Sequence, residues 1–407
     1  MKSNYKLLGD YIQEVNVRNN ELKDLDLLGI SIQKEFIPSI ANTIGTDMSK
    51  YKIVKKNQFA YGTVTSRNGD KISIALLQNH KEALISQAYI SFEVIDENEL
   101  LPEYLMMWFR RPEFDRYARY MSYGSAREVF SWEEMCNVTL PIPSIKKQRE
   151  IVEEYNTILN RIKLNENVIG KLEDLAQSIY KQWFIDYEFI TDKGEPYKAS
   201  GGSVLSSEIG DIPEGWTIKT LEEIVDIVDN RGKTPPNINE ETEYPLIEIA
   251  SLRDDRRVIN YDKCSKYIKK KTYESWFRSG HPKERDILIS TVGSLAELKL
   301  FWGDKGCIAQ NIVAFRSRNI NYALYLYQYL YNRKNELLAY EIGSVQSSIK
   351  VSHIIKHPII IPDEEVVKKY DYYASIITQL IYVYNSQISY MKSVKAILLL
   401  RIANMGE

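Results

Sequence analysis

Apolar residues recur at alternating steps of four and three along two stretches of this chain. The first stretch carries Ile151, Tyr155, Ile158, Ile162, Ile169, Leu172, Ala176, Ile179 and Trp183, with Asn165 as its one polar member. The second carries Tyr370, Ala374, Ile377, Ile381, Tyr384, Ile388, Met391, Leu398 and Ile402, broken only by Lys395. A 4-3 spacing held this long predicts a helix packed lengthwise on another helix. Val152, Leu159, Leu175, Tyr180 and Phe184 widen the first stripe, which predicts contact with more than one partner helix. From Ile151 to Trp183 such a helix runs about 48 Å at 1.5 Å per residue. Asn165 either fixes the register of the helix pair or sits exposed at a wobble in the packing.

The two stretches are copies. Gly124-Ser125 and Pro143 recur as Gly343-Ser344 and Pro362, a shift of 219 positions. In front of each lies a globular segment of short β-type runs separated by turn residues, at 58–62 and 88–92 in the first and at 286–290 and 312–315 in the second. Each is followed by a predicted helix, 101–121 with Pro102 in its first turn, and the Tyr-rich 322–340. Residues 191–211 hold Gly194, Pro196, Gly201 and Gly202 and read as a flexible linker. The expected fold is therefore α+β with an internal pseudo-twofold repeat. Two globular α/β domains, 1–143 and 212–362, are separated by a pair of long antiparallel coiled-coil helices, 144–190 and 363–407. Antiparallel pairing predicts heads at opposite ends of a rod.

Composition narrows the function. Across 407 residues, 53 Lys and Arg stand against 55 Asp and Glu, a net charge of −2, so any nucleic-acid contact must be local rather than a general polybasic coat. Aliphatic runs such as 396–400 fall far short of a bilayer span, so no membrane contact is expected. The opening Met1-Lys2-Ser3-Asn4-Tyr5 lacks the apolar core of a secretory signal, and Cys136, Cys264 and Cys307 are odd in number without metal-ligand spacing. Both point to a reducing cytoplasm.

Catalytic machinery is missing from the sequence. It holds no Gly-x-x-x-x-Gly-Lys-Ser/Thr phosphate loop, no Gly-x-Gly-x-x-Gly turn and no Asn/Asp-Pro-Pro-aromatic tetrapeptide, since Pro235-Pro236 follows Thr234. Asp363-Glu364-Glu365 sits at a predicted helix start, where carboxylates offset the helix dipole. His353 and His357 are spaced as helical ligands, but Pro358 disfavours a helix there. No catalytic or metal-binding residue and no cofactor is expected in this chain.

Basic charge is unevenly placed. Between positions 252 and 285 eleven Lys or Arg, among them Arg253, Arg256 and Lys270, face five acids, a surplus fit for phosphate contact or for a solvated charged loop. Polar loops suited to base edges occur in both globular segments. They are Arg18-Asn19-Asn20, Arg67-Asn68 and Ser125 with Arg127 in the first, and Arg231 with Lys233 and Ser344 with Gln346 in the second.

Several ordered pieces carry a family resemblance. Gly124-Ser125 with Arg127 is followed by Leu140-Pro141-Ile142-Pro143, Gln148 and Ile151-Val152. Further on come Ile179-Tyr180-Lys181-Gln182-Trp183-Phe184 with Asp186, and then Ile212-Pro213-Glu214-Gly215-Trp216. In this order the chain resembles the specificity subunit of type I restriction-modification systems. The second junction, Ile359-Ile360-Ile361-Pro362-Asp363, lacks the double proline and the following Gln. The resemblance implies that each head is a target-recognition domain reading one half of a split site in double-stranded DNA. It implies that the helices set the spacing and dock two methyltransferase subunits, which would bind S-adenosylmethionine, with motor-endonuclease subunits joining the full complex. The helix residues expected to meet these partners are Tyr155, Leu159, Ile162, Ile169, Leu172, Ile179 and Trp183, and Tyr370, Ile377, Tyr384, Met391 and Leu398. The competing reading is a two-headed coiled-coil scaffold that binds other proteins and no DNA.

Overall fold

The structure, a computed structural model, describes residues 5–41, 45–66, 69, 71–123, 128–303, 305–343 and 347–403. It divides into two compact units, Met1–Arg161 with Met391–Glu407, and Ile162–Tyr390. Two 40-residue helices, Ile145–Phe184 and Glu364–Ala403, contribute residues to both units. Shifting 145 and 184 by 219 gives 364 and 403, so the helices repeat with the same register as the sequence. None of the described helices is long and apolar enough to cross a membrane.

The first unit is built on an antiparallel sheet ordered Ile12–Val15, Tyr89–Val94, Phe59–Gly62, Ile74–Leu76. Its inner strand is buried on both faces, and alternation decides where each side chain goes. Phe59 and Tyr61 join the aromatic core with Phe92 and Phe109, while Ala60 faces Leu28, Val54 and Ile85 of a second sheet. Phe59 and Phe92 stack at 4.8 Å, and Phe109 meets Phe59 edge-on at 5.7 Å. The helix predicted over 101–121 is two helices, Pro102–Phe109 and Pro112–Tyr120. Pro112 forces Arg111 out of the helical region, to φ −73° and ψ 138°, and so breaks the run. Ile151 and Tyr155 of the first long helix and Leu398, Leu399 and Ile402 of the second close this core.

The second unit repeats the sheet, ordered Val225–Val228, Ile312–Ser317, Ile287–Ser290, Leu298–Leu300. Alternation recurs on the equivalent strand: Ile287 and Ile289 face the main core and Leu288 faces the other side. The Tyr-rich helix ends at Asn332 and restarts at Lys334, because Arg333 leaves helical geometry at φ −106°, ψ 24°. Residues 191–211 carry regular structure in place of a loose linker. Val204–Ser207 pairs with Gly210–Pro213, and Phe189 stacks on Tyr197 at 4.6 Å and on Trp216 at 5.4 Å.

Within this unit the long helices run antiparallel, with Asn165 meeting Gln387 and Tyr180 meeting Tyr370. Asn165 is 1% exposed and its Nδ2 donates to Gln387 Oε1 at 3.1 Å. Of the two readings of Asn165, the register-fixing one fits this geometry. Replacing it by Ala is expected to cost about 1 kcal/mol, the usual net worth of one hydrogen bond, measured by urea unfolding.

His357, 2% exposed, gives the unit a pH dependence. Burial, and secondarily Arg333, lowers its pKa from 6.5 to about 4. The Glu336 carboxylate lies 3.6 Å from Nε2 and opposes this, but it is more than half exposed and water screens it, so burial prevails. The unfolded chain therefore takes the proton first. Stability is complete above pH 6.5 and falls as the pH drops towards 4, by up to about 3 kcal/mol. Thermal melts of His357→Gln are expected to lose this part of the acid sensitivity; an unchanged pH profile would contradict it.

Candidate nucleic-acid interface

Strand direction decides which loops meet. In the second unit the segments 229–234 and 291–297 leave the ends of Val225–Val228 and Ile287–Ser290, and 309–311 enters Ile312–Ser317. All three lie at one end of the sheet. Val292 bridges Ser348, and Ile349 N–H donates to Thr291 O at 2.8 Å, which brings the flank of 344–346 to the same end.

The 229–234 loop is held rigidly. Asn230, buried, donates through Nδ2 to Gly280 O at 2.8 Å and accepts from Ser279 N–H at 2.9 Å. Arg278 donates to the carbonyls of Asp229 and Arg231 at 3.2 and 3.0 Å. Arg231 in turn forks onto the Asp229 carboxylate at 2.9 and 2.7 Å. That hydrogen bond, more than the opposing burial, holds the Asp229 carboxyl below the usual carboxylate range. Gly232 turns the chain at φ +119°, a conformation that side chains strain. Arg231, Lys233, Arg278 and Trp276 then line a groove of about 380 Å³. Lys233, Arg278 and the Asp229-paired Arg231, beside the Trp276 indole at the end of helix Lys270–Trp276, suit phosphate oxygens and base edges.

The first unit places equivalent loops at the equivalent sheet end. Residues 16–20 follow Ile12–Val15, and 63–66 follow Phe59–Gly62. Val129 bridges both Val64 and Tyr123, and Thr65 Oγ1 donates to Ser122 Oγ at 3.0 Å. The described flanks of the two sequence-nominated loops are therefore neighbours. Beside them Lys71, Arg116, Arg119 and Tyr120 line a cavity of about 690 Å³, with Tyr120 81% exposed.

Several nominated residues change role. Asn19 is 1% exposed and spends its amide on the backbone of Lys23, so it is a turn residue rather than a base reader. Arg18 donates to Lys50 O and Gln87 Oε1, while its neighbour Asn20 is exposed. Arg67, Asn68, Ser125, Arg127, Ser344 and Gln346 lie outside the described residues. The basic run at 252–285 is not one phosphate surface. Arg256 donates to Asn385 Oδ1 at 2.6 Å, Arg257 is buried on Glu173, and Arg285 grips Asp371. Arg253 contacts Ser294, and exposed Lys270 lies 3.9 Å from Glu274. Sequence reasoning counted Arg278 within the basic run without singling it out, and overlooked Trp276 and the Lys71–Arg116–Arg119–Tyr120 group. The i, i+3, i+4 spacing of Arg116, Arg119 and Tyr120 on one helix was a signal for the latter.

The long-helix residues nominated for partners are largely used by the chain itself. Tyr155, Ile169, Trp183, Tyr370, Ile377 and Leu398 are buried, and Leu159, Ile162, Leu172, Ile179, Tyr384 and Met391 are half-buried. The apolar face left outward on the second helix is Tyr372, Tyr373, Ile376, Leu380, Val383 and Tyr390.

A family model for the type I restriction modification DNA specificity domain matches this chain twice, at residues 15–174 and 213–385. The chain belongs to this family. The specificity subunit of the type I restriction enzyme MjaIX of Methanocaldococcus jannaschii is 24% identical over 327 residues, 75% of this chain and 69% of that protein. That of the HindI enzyme of Haemophilus influenzae is 20% identical over 258 residues, 50% of this chain and 55% of that protein. A crystal structure of the type I restriction-modification S subunit from M. genitalium shares the fold. Its TM-score is 0.58 at 13% identity, covering 99% of this chain and 96% of that one. The specificity family is one of non-catalytic DNA-recognition subunits, and the two matches coincide with the two copies of the internal repeat.

Proposed function

We propose that this chain reads a split site in double-stranded DNA, one half with each head, as the specificity subunit of a type I restriction-modification complex. The observation that carries this reading is that polar loops gather at the same end of the same four-stranded sheet in both repeats, with basic and aromatic side chains close by in each. In this reading the paired helices set the interval between half-sites and dock two methyltransferase subunits. Those partners bind S-adenosylmethionine and methylate the target, and motor-endonuclease subunits complete the assembly. The outward apolar face of the second long helix supplies a surface for a methyltransferase, since exposed apolar stripes of this extent mark interaction sites.

Three measurements test the reading. Affinity for duplex DNA is expected to fall with salt, with a logarithmic slope of about −5 or steeper if six phosphates are engaged. No slope would favour the protein-binding scaffold. Arg231→Ala is expected to relax base preference in one half-site only, by about 1–3 kcal/mol at the affected position. Docking is tested by Ile376→Asp with Leu380→Asp, expected to lower methyltransferase capture at least tenfold with an unchanged melting temperature.

A further inference from the structure

The second head is tied to the long helices by charged groups at regular intervals. Asp371, Thr378 and Asn385 stand seven residues apart along the second helix, so they share one face over about 21 Å. Each receives a different arginine from the head. Arg285 Nη1 donates to both oxygens of Asp371 at 2.9 Å. Arg257 reaches Thr378 Oγ1 at 3.5 Å, and Arg256 donates to Asn385 Oδ1 at 2.6 Å. Arg257 is also gripped from the first helix, where Glu173 accepts from its backbone N–H at 2.7 Å and from its Nε at 2.9 Å.

Apolar packing alone would hold the head to the helices but would tolerate sliding and rocking, because it is not directional. Forked hydrogen bonds to charged groups carry geometry as well as energy. Two charged contacts, on Asp371 and Glu173, with two neutral ones on Thr378 and Asn385, are spread over several turns and resist rotation far better than one. The helix of the first repeat carries different residues at the equivalent positions. Shifting 371, 378 and 385 back by 219 lands on Val152, Leu159 and Glu166, and the first two are partly buried apolar residues of the first core. Duplication preserved the helix register, while Val152 and Leu159 stand where the second copy has Asp371 and Thr378.

We propose that Arg256, Arg257 and Arg285, with Glu173, Asp371 and Asn385, are positioning residues that fix the angle of the second head on the helices. They thereby set which interval between half-sites the protein accepts. The inference rests on the DNA-reading function proposed above. It assigns to these arginines a role in spacing rather than in phosphate contact.

The test uses the full chain with its methyltransferase partner and reads methylated sites across a genome. The Arg256→Gln/Arg285→Gln variant removes the two more accessible contacts and leaves the buried Arg257–Glu173 pair to sustain folding, checked by thermal melt. The unaltered chain is expected to modify one spacing. The variant is expected to raise modification at sites one base pair longer or shorter at least tenfold, with half-site bases unchanged. A second arm is independent of DNA: spin labels at Lys271→Cys and Tyr372→Cys, with Cys136→Ser, are expected to show a broader distance distribution in the variant. An unchanged spacing preference in a folded variant would overturn the positioning role while leaving DNA reading intact. Loss of base preference in a half-site, with spacing kept, would show direct DNA contact by these arginines and also overturn it. Failure of the unaltered chain to direct any split-site modification would overturn both.

Discussion

One base pair inserted between the two halves of the target is expected to lower affinity at least tenfold. The insertion displaces one half-site by about 3.4 Å and rotates it by roughly 35° around the duplex axis. A protein can follow only by stretching or twisting what joins its reading surfaces. In the proposed reading the paired 40-residue helices make that connection, and within the second unit Asn165 and Gln387 lock one register of the pair. Sliding the seam by a fraction of a turn would strand Asn165 among apolar side chains, and burying an unpaired amide costs about 1–3 kcal/mol. Losing the contacts of one head costs more. Gel-shift titration with paired probes measures the effect, and equal affinity for both would contradict a rigid connection.

Glu173→Ala is expected to destabilise the second unit by about 3–5 kcal/mol, the usual cost of stranding one partner of a buried ion pair. Arg257 is 1% exposed, and its Nη2 has no hydrogen-bond partner among the described residues, so it cannot turn to solvent for compensation. For a unit of this size the loss corresponds to a melting shift on the order of 10 °C. Replacing both partners with apolar residues, Glu173→Leu with Arg257→Met, is expected to restore most of the stability, because neither charge is then buried alone. A single-variant loss below about 1 kcal/mol would show that water reaches the guanidinium, which contradicts the buried geometry.

The helices were the most legible part of the sequence, because a heptad stripe is a short-range signal repeated many times. The 219-residue shift between Pro143 and Pro362 located both copies, and it also relates the ends of the two helices. Breaks inside the shorter helices were missed where one residue decides. Pro112 excludes helix at Arg111, a rule that could have been applied, whereas nothing local marks Arg333 as a break. Charge was read least well. Arg256, Arg257 and Arg285 stand in a basic run that suggests phosphate contact, yet their partners lie 129, 84 and 86 positions away along the chain. Local composition carries no information about such distant acceptors. The same holds for residues 191–211, whose glycines and serines suggest a loose tether while Phe189, Tyr197 and Trp216 stack them into place. Candidate loops were recognised by type, and the strand ends then determined which of them meet.

Sequencing methylated bases in DNA from cells that make this chain with its methyltransferase partner tests the central claim most directly. The expected result is one motif in two defined parts separated by an unread interval of constant length. A single continuous motif, or two parts modified at many different intervals, would contradict twin heads held at a fixed separation.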